Sequence, residues 1–288
     1  MQTDFQFEKM IEKISGSEGP AVDAEDHTLM VSPGKGQVLW IRDGMAAEIV
    51  NTAGTPAGLQ IDSEGRVWIA DMKHGILRLE KDRTLTRLVT EFEGAPIRGC
   101  NDLSLDDLGR LYFTAPAGSG KANHIGEVFW RDEKGGVKRF DQGLSFPNGI
   151  AVAADRRWLV YAETFTRKLW RWTLDKSGNP VQRDLFATLP GGDDLLGGDG
   201  MDFDAEGFLL ATHYGAGEID VYDPKGNLVE QIKLPFKKPS NVEPFQDGSG
   251  RWLVTEQENS ALWRFQWRRG GARIRKIGVV PACLDSAG

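Results

Sequence analysis

A short pattern recurs six times along the chain and constrains the fold more than any other feature. In each repeat, an apolar strand is followed by a turn rich in Asp and Gly and then by a second apolar strand. Successive repeats are 39 to 51 residues apart, a spacing typical of β-propellers, in which each repeat is one four-stranded sheet. We call the residue directly before the first strand the slot residue. The six slot residues are Glu18, Ala57, Asn101, Asn148, Asp199 and Ser240.

The repeats predict an all-β chain that forms a six-bladed β-propeller with a central tunnel, with residues 1–288 as a single domain. Turns such as DSEG at 62–65 suit hairpins between the strands of a blade. A helical period is present only weakly, at 7–14. Two segments, 5–14 and 272–280, are candidates for the outer strand that closes the last blade, and the pattern does not choose between them.

Charge and cysteine content exclude several classes of partner. The chain has 35 Lys and Arg against 42 Asp and Glu, a net charge of −7, so no nucleic-acid partner is expected. Residues 1–16 lack the apolar core of a signal peptide, and no run of about 18 apolar residues points to a membrane. Two cysteines, Cys100 and Cys283, are too few for a disulfide framework or a zinc set. We expect a cytoplasmic monomer with a small-molecule partner.

Four of the six slots carry a carboxylate or a carboxamide, and equivalent positions of a propeller meet at one end of its tunnel. Asn148 and Asp199 each precede a Gly, and either pair alone would be ordinary turn chemistry. Recurrence in an equivalent slot favours ligands over turns. Two carboxylates and two carboxamides are hard oxygen donors that suit Ca²⁺ better than Zn²⁺ or Cu²⁺. The predicted catalytic calcium ligands are Glu18, Asn101, Asn148 and Asp199.

Alternation along the strands predicts a second pair of carboxylates deeper in the tunnel. The residue two positions after a slot is apolar and should pack between blades, whereas the residue three positions after it should face the tunnel. In the sixth repeat this register favours Ser240 over Asn241 as the slot and turns Glu243 inward. Asp202 and Glu243 then lie on adjacent blades. They either share a second, buried cation or are bridged by water, because two unpaired buried carboxylates would be costly.

Several motifs together resemble a known family over nearly the whole chain. The family is the senescence-marker-protein/gluconolactonase/luciferin-regenerating-enzyme superfamily of six-bladed propellers. Within it, the resemblance is strongest to the diisopropyl-fluorophosphatase-like enzymes, which are calcium-dependent organophosphate hydrolases. The motifs are GSEGP at 16–20, GCND at 99–102, FPNGIAV at 146–152, DGMDFD at 199–204 and VTE at 254–256.

The resemblance implies a role for each candidate residue. The four carboxylate and carboxamide slot residues match the family's catalytic calcium ligands. Asp199 also matches a residue that either attacks the substrate or positions an attacking water. Asp102 resembles the residue that supports the calcium ligand beside it. Asp202 resembles a ligand of a second calcium, and Glu243 stands where the family has a His ligand. Substrate-pocket residues are implied at Met72, Arg98, Tyr214, Ser240 and Gln257.

Two of these pocket positions bear on the substrate. Gln257 stands where the phosphatases have a pocket His, and Arg98 resembles the substrate Arg of the lactonases, with one extra residue before Asn101. Three functions stay open. The first is a calcium-dependent hydrolase of P–F or phosphotriester bonds, and the second is a gluconolactonase-like lactonase that uses the same metal. The third is a non-catalytic propeller that serves as a binding module.

Overall fold

The structure is a computed structural model that describes residues 5–192, 194–267 and 276–281. Nearly all regular structure in these residues is β-strand, and the strands form six four-stranded antiparallel sheets. This confirms the predicted six-bladed β-propeller. No helix in the described ranges is long and apolar enough to cross a membrane.

The strands follow one another from the innermost to the outermost position of each blade. The first strand of the chain is β1 (Phe7–Ile11). Blade 1 then contains β2 (Glu18–Val22), β3 (Thr28–Ser32), β4 (Gln37–Arg42) and β5 (Met45–Asn51). Blade 2 contains β6 (Pro56–Ile61), β7 (Val67–Asp71), β8 (Gly75–Leu79) and β9 (Leu85–Val89). A short hairpin of β10 (Glu91–Phe92) and β11 (Ala95–Pro96) follows.

The remaining blades have the same order of strands. Blade 3 contains β12 (Leu103–Leu105), β13 (Leu111–Ala115), β14 (Gly126–Arg131) and β15 (Val137–Leu144). Blade 4 contains β16 (Pro147–Val152), β17 (Trp158–Glu163), β18 (Lys168–Leu174) and β19 (Pro180–Thr188). Blade 5 contains β20 (Gly198–Phe203), β21 (Leu209–His213), β22 (Glu218–Tyr222) and β23 (Leu228–Lys233). Blade 6 contains β24 (Pro239–Pro244), β25 (Arg251–Glu256) and β26 (Ala261–Gln266). Short 3₁₀ turns lie at Pro33–Lys35 and Thr164–Thr166.

The N-terminal strand closes the ring. β1 pairs antiparallel with β26, with Phe7 opposite Phe265, and so supplies the outermost strand of blade 6. Residues 276–280 of the competing segment are not a strand, and 272–275 lie outside the described residues. Gly278 donates its N–H to the Asp62 carbonyl oxygen at 2.8 Å, and Val280 donates to Asp23 Oδ2 at 3.0 Å. This segment therefore runs across the ends of blades 1 and 2.

Six clusters of buried apolar side chains fill the spaces between neighbouring blades, including the space between blades 6 and 1. Their inner members include the residue two positions after the slot in five blades, as the alternation predicts. Each blade thus contributes apolar side chains to two clusters, one on each of its faces. The members in question are Leu59, Leu103, Ile150, Met201 and Val242.

The recurrent Asp of the turns has a structural function. Asp62 Oδ1 accepts hydrogen bonds from the backbone N–H groups of Glu64 and Arg66, and Asp204 does the same for Glu206 and Phe208. An Asp side chain that binds the backbone two and four residues onward fixes a tight turn. These turns lie at the far end of the first strands, so all six slots face the opposite end of the tunnel.

Substitution of Phe7 tests whether β1 closes the ring of blades. Phe7 is half-buried, packs against the core between blades 5 and 6, and its ring centroid lies 5.6 Å from that of Phe265. Full burial of a Phe is worth 3–5 kcal/mol on truncation to Ala, so Phe7→Ala should cost about 2 kcal/mol. The expected decrease in Tm is about 5 °C, measured by thermal unfolding.

Glu8→Ala is the matched control, because Glu8 is adjacent on the same strand and its exposed ion pair with Arg264 contributes little. Equal effects of the two substitutions would contradict closure of the ring through the apolar face of β1.

Candidate functional site

A cavity of about 520 Å³, the outer cavity, opens at the end of the tunnel where the first strands begin. The slot residues of the first five blades all line it. The structure therefore brings together the four candidate ligands, which come from four different blades. The slot residues that line the outer cavity are Glu18, Ala57, Asn101, Asn148 and Asp199.

Local irregularity of the first strands turns slot side chains toward the outer cavity. In β16 the antiparallel register shifts between Pro147 and Ile150, and in β20 it shifts between Gly198 and Met201. Similar shifts occur in β2 and β6, whereas the shift in β24 does not bring Ser240 to the outer cavity. A β-bulge of this kind releases a residue from the ladder and re-aims its side chain.

The glycine after a slot allows neighbouring first strands to approach closely. A Cβ on Gly149 would lie 2.0 Å from the Asp199 carbonyl oxygen, and a Cβ on Gly200 would lie 2.2 Å from Asn241 Nδ2. The Asn-Gly and Asp-Gly pairs are therefore explained by strand packing around the tunnel rather than by tight turns.

A chain of hydrogen bonds orients the Asn148 carboxamide. Asn148 Nδ2 donates to Thr164 Oγ1 at 3.2 Å, and Thr164 Oγ1 donates to the Gly198 carbonyl oxygen at 2.8 Å. Asn148 Oδ1 is then left buried, with no hydrogen bond from any described residue. A buried oxygen without a donor costs roughly 1–3 kcal/mol, and a bound cation would supply the missing partner.

Three carboxyl groups lie close enough to perturb one another. Burial raises the pKa of Asp199 well above its ordinary value, and the charge of Asp102 raises it further. Burial also raises the pKa of Glu18, with added repulsion from Asp199 and Asp102. None of the described residues that line the outer cavity is Lys, Arg or His, so no basic side chain there offsets these charges. The donor set fits a divalent cation.

The donor set is mixed rather than purely acidic. No group of three or more His, Cys, Asp or Glu side chains in the described part of the chain is arranged to hold a metal ion. Instead, the site pairs two carboxylates with two carboxamides, which bind a hard cation through oxygen without adding charge.

Asp102 lies beneath the slot residues. Its Oδ1 accepts from the N–H of Leu103 at 2.9 Å, and its Oδ2 accepts from the N–H of Ile150 at 3.1 Å, which joins blade 3 to blade 4. It lines a second, smaller cavity of about 20 Å³, the inner cavity. Asp102 therefore acts on the outer site through its charge and its position in the strand wall.

The other predicted carboxylate pair lines the same inner cavity. Asp202 and Glu243, from blades 5 and 6, are both buried there with Gln60 and Asn241. Asn241 Oδ1 is buried and receives no hydrogen bond from a described residue. The volume suits one water or one cation, so the two alternatives for this pair both fit the space.

Two predicted pocket residues lie elsewhere. Ser240 does not line the outer cavity; it is fully buried, and its Oγ is 2.9 Å from both the Ser17 carbonyl oxygen and Thr255 Oγ1. The hydroxyl is thus held by protein groups, which turns the slot of blade 6 away from the opening. Arg98 is exposed and lies outside the cavity lining. Met72, Tyr214 and Gln257 do line the outer cavity.

Most apolar residues in the wall of the outer cavity were not predicted from the sequence. Phe146 and Phe165 line the outer cavity and meet edge to face, with ring centroids 5.6 Å apart. Phe146 has a φ of 64°, an unfavourable conformation for an aromatic residue, and Ser119 Oγ accepts its N–H at 3.0 Å. Phe146 directly precedes a first strand and Phe165 follows a second strand. Their positions next to the slot residues and the strand ends were the signal in the sequence that could have placed them at the cavity. Other unpredicted lining residues are Gly16, Pro33, Thr164, Leu196 and Ser260.

Comparison with known proteins gives consistent matches. The SMP-30/Gluconolactonase/LRE-like region matches residues 16–268. Diisopropyl-fluorophosphatase of Loligo vulgaris is 34% identical, over 93% of this chain and 94% of its own length. The 6-deoxy-6-sulfogluconolactonase of Pseudomonas putida is 26% identical, over 76% of this chain and 75% of its own. A gluconolactonase structure from Xanthomonas campestris, 23% identical, superposes with a TM-score of 0.80 and covers 92% of this chain and 90% of its own.

The raised pKa values predict how the metal-free protein responds to pH. Because the folded protein retains protons on Asp199 and Glu18 above their ordinary pKa values of 3.8 and 4.5, it binds more protons than the unfolded chain. The free energy of unfolding then falls as the pH rises through the raised values. With chelator present, we expect Tm to fall as the pH rises above the ordinary range of carboxyl pKa values, and Asp199→Asn to flatten that fall.

Asp155→Asn is the control, because Asp155 is exposed on the turn of blade 4. Identical pH profiles of Tm for the wild type and Asp199→Asn would contradict the mutual repulsion of the buried carboxylates.

Proposed function

We propose that this chain, which belongs to the SMP-30/gluconolactonase/LRE-like family, is a calcium-dependent hydrolase of neutral organophosphates. It would act on P–F or phosphotriester bonds. Three relatives bear the names of a fluorophosphatase and of lactonases, and hydrolysis is the type of reaction that these names share. One observation carries the finer proposal: four oxygen-bearing side chains converge on one cavity, and one of these oxygens, Asn148 Oδ1, is buried without a donor among the described residues.

The donor set fits calcium better than other common metals. Glu18 and Asp199 supply two negative charges, and Asn101 and Asn148 supply neutral oxygens. Calcium takes about six to eight oxygen ligands, so four protein side chains leave positions for substrate or water. Calcium bound there would polarise the phosphoryl or carbonyl oxygen of a substrate.

Asp199 is the residue proposed to act on the substrate. As a nucleophile, its carboxylate oxygen would form a bond to phosphorus while the P–F bond breaks and fluoride leaves with the electron pair. Water would then cleave the resulting acyl phosphate. As a base, it would orient an attacking water and accept its proton. Both roles require the ionised carboxylate, which burial beside Asp102 disfavours unless a cation is present.

The wall of the outer cavity favours neutral, alkyl-bearing substrates. Met72, Phe146, Phe165 and Leu196 line it, and no Lys, Arg or His does so among the described residues. Glu18 and Asp199 would offset the charge of one bound Ca²⁺, so a strongly anionic phosphomonoester would meet no net positive charge and, among the described lining residues, no basic side chain. A triester or fluorophosphate carries no charge and can bury its alkyl groups against these side chains.

Lactone hydrolysis is the second candidate, and the names of the lactonase relatives favour it. In that reaction the same four side chains hold the cation, and Glu18 or Asp199 takes a proton from the attacking water. Thr164, Tyr214, Gln257 and Ser260 place polar groups around the cavity for a hydroxylated ring. A non-catalytic binding module is the third candidate, which predicts calcium binding without turnover of either substrate class, or no calcium binding.

Activity with and without calcium tests the first proposal. We expect fluoride release from diisopropyl fluorophosphate in calcium, loss of release after exhaustive chelation, and recovery when calcium is returned. Asp199→Ala should reduce kcat by at least about 1000-fold, as removal of a catalytic nucleophile or base does, while the variant keeps its fold. The measurement is fluoride release by ion-selective electrode.

Asp155→Asn is expected to retain wild-type rates in the same assay. Full activity of Asp199→Ala would contradict the mechanism. Folded wild-type protein that releases no fluoride but opens lactones in calcium would favour the second candidate.

A second, structural calcium between Asp202 and Glu243 is part of the proposal. Support comes from the two buried carboxylates on adjacent blades and from the unpaired Asn241 Oδ1 beside them. With a cation present, Glu243→Gln removes a ligand charge and should reduce the rise in Tm that calcium produces. With water alone, the same change relieves repulsion between buried charges and should leave that rise intact.

Thermal unfolding of the wild type and Glu243→Gln, each with calcium and with chelator, separates the two cases. Glu230→Gln, on the outer strand β23, is the matched control. An unchanged calcium-dependent rise in Tm for Glu243→Gln would remove the second cation.

A further inference from the structure

One amide side chain joins three blades across the outer cavity. Gln257 follows β25 of blade 6, is half-buried and lines the cavity. Its Nε2 donates a hydrogen bond to Glu18 Oε1 of blade 1. Its Oε1 accepts a hydrogen bond from the Tyr214 hydroxyl of blade 5 at 3.3 Å. The order of donors and acceptors is therefore Tyr214 to Gln257 to Glu18.

Each group in this chain fixes the next. The Glu18 carboxylate is an acceptor when ionised, so it selects the N–H₂ side of the Gln257 amide. The amide oxygen then faces Tyr214, whose hydroxyl is the matching donor. Tyr214 and Gln257 thus hold Glu18 from one side, and neither brings a positive charge to it.

An uncharged donor at position 257 leaves the negative charge of Glu18 available to a cation. A Lys or Arg at position 257 would neutralise Glu18 and compete with a metal ion for its charge. An amide binds one carboxylate oxygen and leaves the charge in place. The Gly19 N–H also bonds the Glu18 carboxylate, and like the amide it adds no positive charge that would compete with a cation. Residues that hydrogen-bond a metal ligand in this way typically contribute 10–100-fold to metal affinity or activity.

We propose that Gln257 is a positioning residue that sets the Glu18 carboxylate as a calcium ligand, and that Tyr214 acts on the site through Gln257. This inference rests on the proposed calcium site. It assigns to Gln257 and Tyr214 a function in metal binding, in addition to any contact with substrate.

Calorimetric titration of the metal-free, full-length protein with Ca²⁺ tests the proposal. Gln257→Met keeps the length and volume of the side chain but removes both hydrogen bonds, and we expect calcium affinity at the catalytic site to weaken by about 10–100-fold. Tyr214→Phe removes only the outer bond and should have a smaller effect. In the double variant, Tyr214→Phe should add nothing to the effect of Gln257→Met.

The control is Gln266→Met, the same change at an exposed position at the end of β26 in the same blade. It should bind calcium as the wild type does. Gln257→Asn is the second test variant, in case Gln257→Met does not fold: it retains an amide too short to span Tyr214 and Glu18, and the same loss of affinity is expected.

Turnover provides a second readout. A defect that acts through the metal should be reversed when calcium is raised to saturate the variant. A fall in kcat/KM that saturating calcium does not reverse, in a variant that binds calcium as tightly as the wild type, would place Gln257 on the substrate instead and overturn the proposal.

The outcomes separate this inference from the proposed function. Wild-type protein that binds calcium, together with Gln257→Met or Gln257→Asn that binds it equally well, overturns the positioning role and leaves the calcium site standing. Additive effects of Tyr214→Phe and Gln257→Met overturn the action of Tyr214 through Gln257. Folded wild-type protein that binds no calcium overturns the proposed function and this inference with it.

Discussion

The close approach of the first strands around the tunnel is the constraint on which the rest of the structure depends. In four blades the residue after the slot is Gly, and a Cβ there would lie within 3 Å of the next blade's backbone or side chain. Blades 3 and 6 have Asp102 and Asn241 at this position, and their side chains line the inner cavity. Crowding of the strands therefore forces the slot side chains together at one end and admits polar groups into the centre. The four glycines are Gly19, Gly58, Gly149 and Gly200.

Bringing these side chains together has an electrostatic cost that links stability to function. Burial disfavours the ionisation of Glu18 and Asp199. The charge of Asp102 raises the pKa of both, and Asp199 also raises the pKa of Glu18. A protein that binds a cation only when folded recovers this free energy on binding, so calcium would stabilise the fold and create the reactive carboxylate in the same step. The same arrangement explains why carboxamides complete the set, because two further carboxylates would add to the repulsion.

The sequence predicted those features that repeat. The period and the strand–turn–strand pattern were sufficient for the six-bladed propeller, because every blade contributes independently to the signal. Four slot residues could also be predicted as metal ligands, since carboxylates and carboxamides recur in an equivalent position. Ser240 shows the limit of that reasoning: its hydroxyl is held by Thr255 and by the Ser17 carbonyl of blade 1, and no pattern within one repeat reports a contact between blades.

Other features depended on long-range contacts from the outset. Closure by β1 rather than by the C-terminal segment is decided by pairing between Phe7 and Phe265, more than 250 residues apart in the sequence. The apolar wall of the outer cavity comes from loops such as that of Phe165, which carry no alternation. The bridge through Gln257 joins residues of three blades. Local patterns therefore locate the proposed metal ligands better than the groups that surround them.

The proposed mechanism requires one calcium ion held by Glu18, Asn101, Asn148 and Asp199. The most direct measurement is a crystal structure of the protein grown in calcium, with a matched crystal grown in chelator. We predict one ion in the outer cavity, with an oxygen of each of the four side chains at about 2.3–2.6 Å, and no such density in chelator. Identical density in the two crystals, with only water among the four side chains, would contradict the account.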